Sequence, residues 1–90
     1  MKLVFSPRAW EDYRWWADQD RRLRAKIDAL VADCMRSHFK GLGKPEPLKG
    51  EFVGWWSRRI DDEHRMVYRV TGSGENQTLE VHQLRFHYNK

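Results

Sequence analysis

The stretch from Lys44 to Val70, KPEPLKGEFVGWWSRRIDDEHRMVYRV, decides the fold. It opens with a glutamate between two prolines. Two runs rich in aromatic and aliphatic residues follow, FVGWWSRRI from Phe52 and HRMVYRV, on either side of Asp61-Asp62-Glu63. Two such runs around a short polar break are typical of paired antiparallel strands. A third run, TLEVHQLRFH at 78–87, follows the polar turn TGSGENQ, so the sequence predicts three consecutive strands here.

The residues before this stretch predict one strand and two helices. Lys2 to Phe5 is predicted as a short strand. Ser6-Pro7 matches a helix start, with serine as the N-cap and proline at the first helical position, and this helix should end near Asp18. Asp20 is placed to cap a second helix, whose apolar stripe repeats at three and four residues: Leu23, Ile27, Leu30, Val31 and Cys34. Residues 37–50 show no period and are predicted as a loop.

These elements predict a single domain, residues 1–90, of the α+β class. In the order β-α-α-loop-β-β-β, a two-helix hairpin packs on a small, mainly antiparallel sheet of four to five strands. Ninety residues are too few for two separate cores. The apolar runs fall far short of the ~20 residues that span a bilayer, and no signal peptide is recognisable. We therefore expect a soluble, cytosolic protein with no membrane partner.

Basic residues accumulate in the middle of the chain. The formal net charge is +4, and residues 36–69 hold eight Lys and Arg against five Asp and Glu. Such a segment attracts polyanions, nucleic acid above all, although a basic surface that serves solubility alone is the alternative. Among the five tryptophans, Trp10 is assigned to the core with Tyr13. One member of each adjacent pair, 15–16 and 55–56, is expected at the surface, where it can stack on bases or contact a partner.

The sequence offers no motif for a metal or a cofactor. Cys34 is the only cysteine and lies in an apolar stripe, which predicts a buried, inert thiol. There is no His-x-x-x-His pair, no paired aspartate motif and no glycine-rich nucleotide loop. His38 and His64 lie beside turns and are expected in solvent. His82 and His87 are assigned to the last strand at an odd spacing, so they would face opposite sides of the sheet.

The glutamate of the PEP motif is the first candidate site residue. Glu46 has little backbone freedom, because it precedes one proline and follows another. Lysines and arginines nearby in the sequence favour its ionised form. An ionised carboxylate held in this way can accept a proton from a bound group within hydrogen-bond reach. The alternative is a polar loop that carries an incidental acid.

The arginines of the two central runs are the next candidates. Side chains alternate along a strand, so Ser57 and Arg59 share one face, and Arg58 lies on the other with Ile60. The turn at 61–63 should bring Arg59 and Arg65 together on one face. Two guanidinium groups placed side by side suit a phosphate, which each can grip with two hydrogen bonds. The alternative is a solvated face neutralised by the three carboxylates of the turn.

Taken together, three motifs resemble one protein family. GKPEPLK, WSRRIDDEHRMVYRV and the closing His-Tyr are similar to the YoeB branch of the RelE superfamily, the ribosome-dependent messenger-RNA ribonuclease toxins of bacterial toxin–antitoxin pairs. The similarity runs from MKLVFSPRAWEDY to the His-Tyr. It implies a small sheet with two helices on one face, a homodimer, and action on mRNA at the ribosome in the bacterial cytoplasm without a cofactor. It also implies a cognate, partly disordered, YefM-like antitoxin that wraps the toxin and blocks it.

The resemblance also implies roles for six residues. Glu46 would be the general base, His87 the general acid, and Arg65 the group that stabilises charge on phosphorus. Three further residues would hold phosphate or stack on the nucleotide: Lys49, Arg59 and Tyr88. Asn89-Lys90 follow the His-Tyr that commonly closes the family's chain.

The six roles together imply an RNA cleavage in which the 2′-hydroxyl attacks the adjacent phosphate without a metal. From composition and motifs alone, two other functions stay open. One is a non-catalytic basic module that binds RNA or DNA, and the other is a corepressor subunit that contacts protein.

Overall fold

A computed structural model describes residues 1–87, which form two helices and five strands. In chain order these are β1 (Lys2–Phe5), α1 (Pro7–Gln19), α2 (Arg21–Arg36), β2 (Glu46–Pro47), β3 (Trp56–Arg59), β4 (Arg65–Thr71) and β5 (Thr78–Gln83). The strands form one sheet in the order β1-β5-β4-β3-β2. Only the β1–β5 pair is parallel among the four pairs. The predicted α+β fold, a helical hairpin on a mainly antiparallel sheet, is confirmed.

Both helix starts lie where the sequence predicts them. The side chain of Ser6 accepts a hydrogen bond from Ala9 N at 3.0 Å and donates one to the carbonyl of His82 on β5 at 2.7 Å. Asp20 ends α1 with its own N–H, which donates to Trp16, and caps α2 with its carboxylate. One residue therefore makes the break between the two helices, and the short connection folds them into a hairpin.

The core lies between the helices and one face of the sheet. Most of its fully buried members come from α2, β4 and β5: Ile27, Leu30, Cys34, Met66, Tyr68, Leu79 and Val81. The prediction that Cys34 is buried is confirmed, and burial raises the pKa of its thiol. The assignment of Trp10 to the core is wrong. Its side chain is 51% exposed and stacks on Tyr13, because α1 turns Ala9, Asp12 and Trp16 inward instead.

An arginine on β3 ties the loop after α2 to the sheet. Arg58 has no exposed surface and lies on the helix-covered face. Its guanidinium donates to Asp33 Oδ2 at 2.7 Å, to the hydroxyl of Tyr68, and to three loop carbonyls, those of Ser37, Lys40 and Leu42. Burial raises the pKa of Tyr68 to about 12. This network fixes the path of the chain that leads to Glu46.

A glycine lets that loop approach β3 closely. Gly43 has φ +80°, and its carbonyl accepts the N–H of Arg59 at 2.7 Å. A methyl group at this position would lie 2.8 Å from Leu30 Cδ2 and 3.1 Å from the carbonyl of Arg59. The loop therefore needs both the conformation and the small size of glycine here.

Candidate active site

Glu46 lies on a short strand inside the predicted loop. Glu46–Pro47 form β2, the edge strand of the sheet, and Glu46 pairs directly with Ser57 on β3. The next turn closes when Leu48 N donates to the carbonyl of Trp55 at 2.9 Å. The prediction that 37–50 is loop throughout is wrong at this point, since a two-residue strand has no periodicity to detect. The carboxylate of Glu46 is exposed.

Arg59 and Arg65 lie opposite each other, as the turn between them predicts. They are paired residues in the β3–β4 register, so their side chains leave the same face of the sheet. That face also carries Glu46, because Glu46 pairs with Ser57 and Ser57 is two residues from Arg59. Arg58 points the other way and is not part of the site. This face, away from the helices, is called the arginine face below.

The two arginines are not neutralised by the turn that joins them. The guanidinium of Arg65 donates to two backbone carbonyls, Asp61 at 2.6 Å and His64 at 3.1 Å. Within residues 1–87 neither Arg59 nor Arg65 forms an ion pair with a carboxylate. Both positive charges therefore remain available to an anion.

The residues of the sheet that lie between Glu46 and the two arginines are buried. Ser57, Val67 and Gln83 are successive partners across β3, β4 and β5, and each is at most 4% exposed. Adjacent strands lie about 4.8 Å apart, so roughly 10 Å separates the backbones of β2 and β4. Glutamate and arginine side chains on those two strands can reach one phosphodiester placed between them.

The chain leaves the sheet before it reaches His87. β5 ends at Gln83, so the assignment of His87 to this strand, opposite His82, is wrong. The side-chain amide of Gln83 donates to the carbonyls of Arg85 and Phe86, and Arg65 N donates to the same Phe86 carbonyl at 3.1 Å. The half-buried His87 therefore follows a residue bonded to Arg65. The structure brings the chain before His87 to the arginine face.

Two predicted site residues remain, Lys49 and Tyr88. Lys49 is exposed, three residues beyond Glu46, where its carbonyl accepts Phe52 N at 3.3 Å. Tyr88 lies outside the described residues. Sequence reasoning missed Gln83, because strand alternation groups it with the core residue Val81. It lies opposite Val67 through an irregularity in the β4–β5 register, which the sequence does not reveal. Sequence reasoning also placed His64 in solvent, which is wrong, because its side chain is 12% exposed.

Residues 1–87 contain neither a cluster of metal ligands nor a membrane-spanning helix. Across residues 1–87 no three His, Cys, Asp or Glu side chains are grouped so that they could hold a metal ion. Neither helix of this part of the chain is long and apolar enough to cross a membrane.

Comparison with known proteins identifies the family. The family model described as "YoeB-like toxin of bacterial type II toxin-antitoxin system" matches residues 5–88. The chain belongs to this family. A toxin YoeB of Streptomyces coelicolor is 50% identical over 88 residues, which cover 98% of this chain and 100% of the relative. A toxin YoeB of Escherichia coli K12 is 47% identical with the same coverage. This member of the YoeB-like family is therefore a toxin of a type II toxin–antitoxin system.

Solved structures of other family members have the same fold. A YoeB/ParE toxin from Agrobacterium tumefaciens superposes with a TM-score of 0.95 at 57% identity, covering 98% of this chain and 100% of that one. A YoeB dimer from Staphylococcus aureus gives 0.86 at 36% identity, with 98% of each chain covered. A chain of a YoeB–YefM complex from the same species gives 0.83 at 36% identity and the same coverage.

Proposed function

We propose that this YoeB-like toxin is an endoribonuclease that cleaves messenger RNA on the ribosome and so inhibits translation. One observation carries the proposal. Glu46 and the unneutralised pair Arg59 and Arg65 share a face of the sheet, and the segment leading to His87 is bonded to Arg65. An acid, two cations and an imidazole in this order suit a phosphodiester held between the acid and the imidazole.

The reaction uses the nucleophile that RNA carries. Glu46 accepts the proton of a 2′-hydroxyl, and the oxygen attacks the adjacent phosphorus. The bond from phosphorus to the 5′-oxygen breaks, His87 gives that oxygen a proton, and a 2′,3′-cyclic phosphate remains. A well-placed acid or base typically contributes about 10²–10⁴ each to the rate. No metal or protein nucleophile takes part.

The cations act on the charge that develops at phosphorus. Arg65 is held by two backbone carbonyls, so its guanidinium is oriented before RNA binds, which avoids reorganisation in the transition state. Arg59 lies opposite it, and the exposed Lys49, three residues beyond Glu46 in the chain, adds a third charge. In this proposal Arg65, together with Lys49 and Arg59, offsets the charge on the phosphoryl oxygens. Lys49, Arg59 and Tyr88 also hold phosphate or stack on the bound nucleotide.

Dependence on the ribosome follows from the weakness of this catalytic set. A carboxylate is a poor base near neutral pH, so the reaction needs a substrate already aligned for in-line attack. The decoding site of the ribosome supplies that alignment. We expect little cleavage of free RNA by this toxin and strong cleavage of mRNA bound to ribosomes, which places its action in the bacterial cytoplasm.

The protein partners are proposed from the relatives. One Staphylococcus aureus relative is a dimer and another forms a complex with YefM. We propose that this chain forms a homodimer and is held inactive by a partly disordered, YefM-like antitoxin. The net charge of +4 favours an acidic partner.

The test is cleavage of one transcript, with and without ribosomes, by matched variants. Glu46→Gln and His87→Gln should each lower the cleavage rate by about 10²-fold or more with the fold intact. Glu51→Gln, at another exposed glutamate of the same loop, should cleave like the unchanged chain. Wild-type cleavage by both site variants would refute the assignment. RNA binding without cleavage by the unchanged chain would favour a passive binding module, and antitoxin-dependent operator binding alone would favour a corepressor.

A further inference from the structure

A second histidine contacts the segment that leads to His87. The ring of His64 meets the indole of Trp16 edge-on, with 5.0 Å between their centres, and lies 5.7 Å from the ring of Phe86. With only 12% of its side chain exposed, His64 is packed between α1 and the chain that follows β5. Nothing in the cleavage reaction proposed above uses it.

His64 accepts a hydrogen bond from the backbone of that segment. The N–H of Phe86 donates to its Nδ1 at 2.7 Å. A ring nitrogen accepts only when it carries no proton, so the imidazole is the neutral tautomer with its hydrogen on Nε2. Nε2 lies 3.7 Å from a carboxylate oxygen of Glu63, which favours a hydrogen there. The contact thus selects one tautomer of His64.

Phe86 is held from both sides in an unusual conformation. Its N–H donates to His64, and its carbonyl accepts the N–H of Arg65, which follows His64 in the chain and begins β4. Its φ is +66°, a left-handed value that a bulky residue adopts only where its surroundings impose it. The ring of Phe86 is 42% exposed, so its burial does not supply that restraint. The hydrogen bonds made by its N–H and by its carbonyl, which also accepts the Gln83 amide, supply it.

The rest of the segment is anchored up to this point. Leu84 donates its N–H to Asp12 at 3.0 Å, and its carbonyl accepts the indole N–H of Trp16 at 2.7 Å. The guanidinium of Arg85 lies over the ring of Trp15, 3.6 Å from its centre. The direction in which the chain continues from Phe86 is therefore set by the bond from its N–H to His64 and by the bonds of Arg65 and Gln83 to its carbonyl.

We propose that His64 is a positioning residue that acts through His87. By fixing the left-handed backbone of Phe86, its imidazole directs the next side chain toward the phosphate bound by Arg59 and Arg65. The inference rests on the proposed function, because it takes His87 as the general acid. Asp61 supports the arrangement, since its carboxylate accepts the N–H of His64 at 2.6 Å and holds the turn. In this proposal two neighbouring residues each position a group of the site: His64 directs the side chain of His87, and Arg65 supplies its own guanidinium.

Two substitutions separate positioning from simple packing. In His64→Asn an amide oxygen can occupy the place of Nδ1 and still accept from Phe86, whereas in His64→Gln the amide lies near the place of Nε2. We expect His64→Gln to lower single-turnover cleavage of ribosome-bound mRNA by about 10–100-fold with unchanged affinity for ribosomes. His64→Asn should keep most of the rate. Equal rates in the two variants would overturn the proposal.

The effect must also depend on His87. In a His87→Gln chain, adding His64→Gln should lower the residual rate no further, because a positioning residue has nothing left to position. A loss as large as that in the unchanged chain would overturn the proposal. Urea unfolding of each variant shows whether the protein is folded.

A spectroscopic measurement tests the contact without activity. In the full chain labelled with ¹⁵N, NMR should detect a coupling across the hydrogen bond between Phe86 N and His64 Nδ1, and a hydrogen on Nε2. A hydrogen on Nδ1, or no coupling, would overturn the proposal even if His64→Gln does not fold. If the Glu46 and His87 variants cleave normally, the proposed function fails while this coupling remains, so the two failures are distinguishable.

Discussion

Arg58 and Arg59 are neighbours in the chain and lie in opposite environments. Arg58 points into the helix-covered side, has no exposed surface, and donates to Asp33, Tyr68 and three loop carbonyls. Arg59 points to the arginine face, is exposed, and lies opposite Arg65 with no carboxylate paired to it within residues 1–87. The same side chain thus serves the fold at one position and, in the proposed function, an anion site at the next.

The difference shows how a small domain separates stability from function. The buried Arg58 guanidinium donates its hydrogen bonds to protein acceptors, so it holds the 37–44 loop against β3. The Arg59 side chain contributes little to the fold, because its own backbone already pairs with Gly43 and β4. A charge that lacks a protein partner remains free for a ligand. Substitutions should therefore separate the two arginines in both stability and activity.

The largest effect should be on stability, at Arg58. Arg58→Met removes one buried donor from Asp33 and the Arg58 donor from three loop carbonyls, which should lower the free energy of unfolding by about 4 kcal/mol. Arg59→Met is the matched control and should change it by no more than about 0.5 kcal/mol. Urea unfolding of both variants measures this. Equal losses would mean that Arg58 is not the structural member of the pair.

The next effect should be on catalysis, at the arginine face. Arg59→Met and Arg65→Met should each lower cleavage of ribosome-bound mRNA by about 10²-fold, because each removes a cation that stabilises the charge at phosphorus. Arg36→Met, at an arginine of α2 whose side chain is 71% exposed, is the control and should cleave normally. If the control loses as much cleavage as the site variants, the cause is the lower net positive charge and not the position of Arg59 and Arg65.

A smaller effect on stability should appear where Gly43 of the loop packs against Arg58 and Arg59. Gly43→Ala should cost roughly 2 kcal/mol, since the methyl group adds overlap with Leu30 to the strain of φ +80°. Gly50→Ala is the control: its φ is +65°, but an added methyl would meet nothing within 4 Å, so only about 1 kcal/mol of strain is expected. If both variants lose the same stability, close approach plays no part at position 43.

The smallest effect should be a pH dependence of the free energy of unfolding that comes from Asp33. The Leu42 N–H, and then the Arg58 guanidinium, hold the pKa of this carboxyl below its usual value. A carboxyl whose pKa is lower in the folded than in the unfolded state stabilises the fold when the pH is above its unfolded-state pKa of about 3.9. That stabilisation is lost as the pH falls through the folded-state pKa.

The test for Asp33 compares urea unfolding from pH 7 to pH 3. The stability gap between the unchanged chain and Asp33→Asn should hold down to about pH 5 and shrink below about pH 4. Asp18→Asn, at an exposed aspartate near the end of α1, should show no such trend. A gap for Asp33→Asn that stays constant down to pH 3 would contradict the bond to Arg58.

The parts of the fold predicted from sequence are those set by local chemistry. Ser6 and Asp20 cap their helices through hydrogen bonds within three residues, so their positions can be read from the residue types alone. The pairing of Arg59 with Arg65 was predictable as well, since a short turn leaves few registers. The opposite orientation of Arg58 follows from strand alternation, but its bonds to the loop do not.

The features that sequence reasoning missed depend on distant contacts. β2 exists only because Glu46 and Pro47 meet β3, and two residues show no alternation. His64 is buried by Trp16 and Phe86, which lie far from it in the chain. His87 falls beyond β5 because Gln83 and Arg65 bind the carbonyl of Phe86 and draw the chain out of the sheet. Each requires the folded chain to be known first.

The most direct test of the arginine face as a site of RNA cleavage removes the nucleophile from the substrate. A ribosome-bound mRNA is made with a single 2′-deoxynucleotide on the 5′ side of the bond that is cut, and its cleavage is compared with that of the all-ribose transcript. We predict that cleavage at this bond is abolished while the toxin still binds the complex, and that the all-ribose product ends in a 2′,3′-cyclic phosphate. Cleavage of the deoxy-substituted bond at the normal rate would contradict the role given to Glu46 and His87.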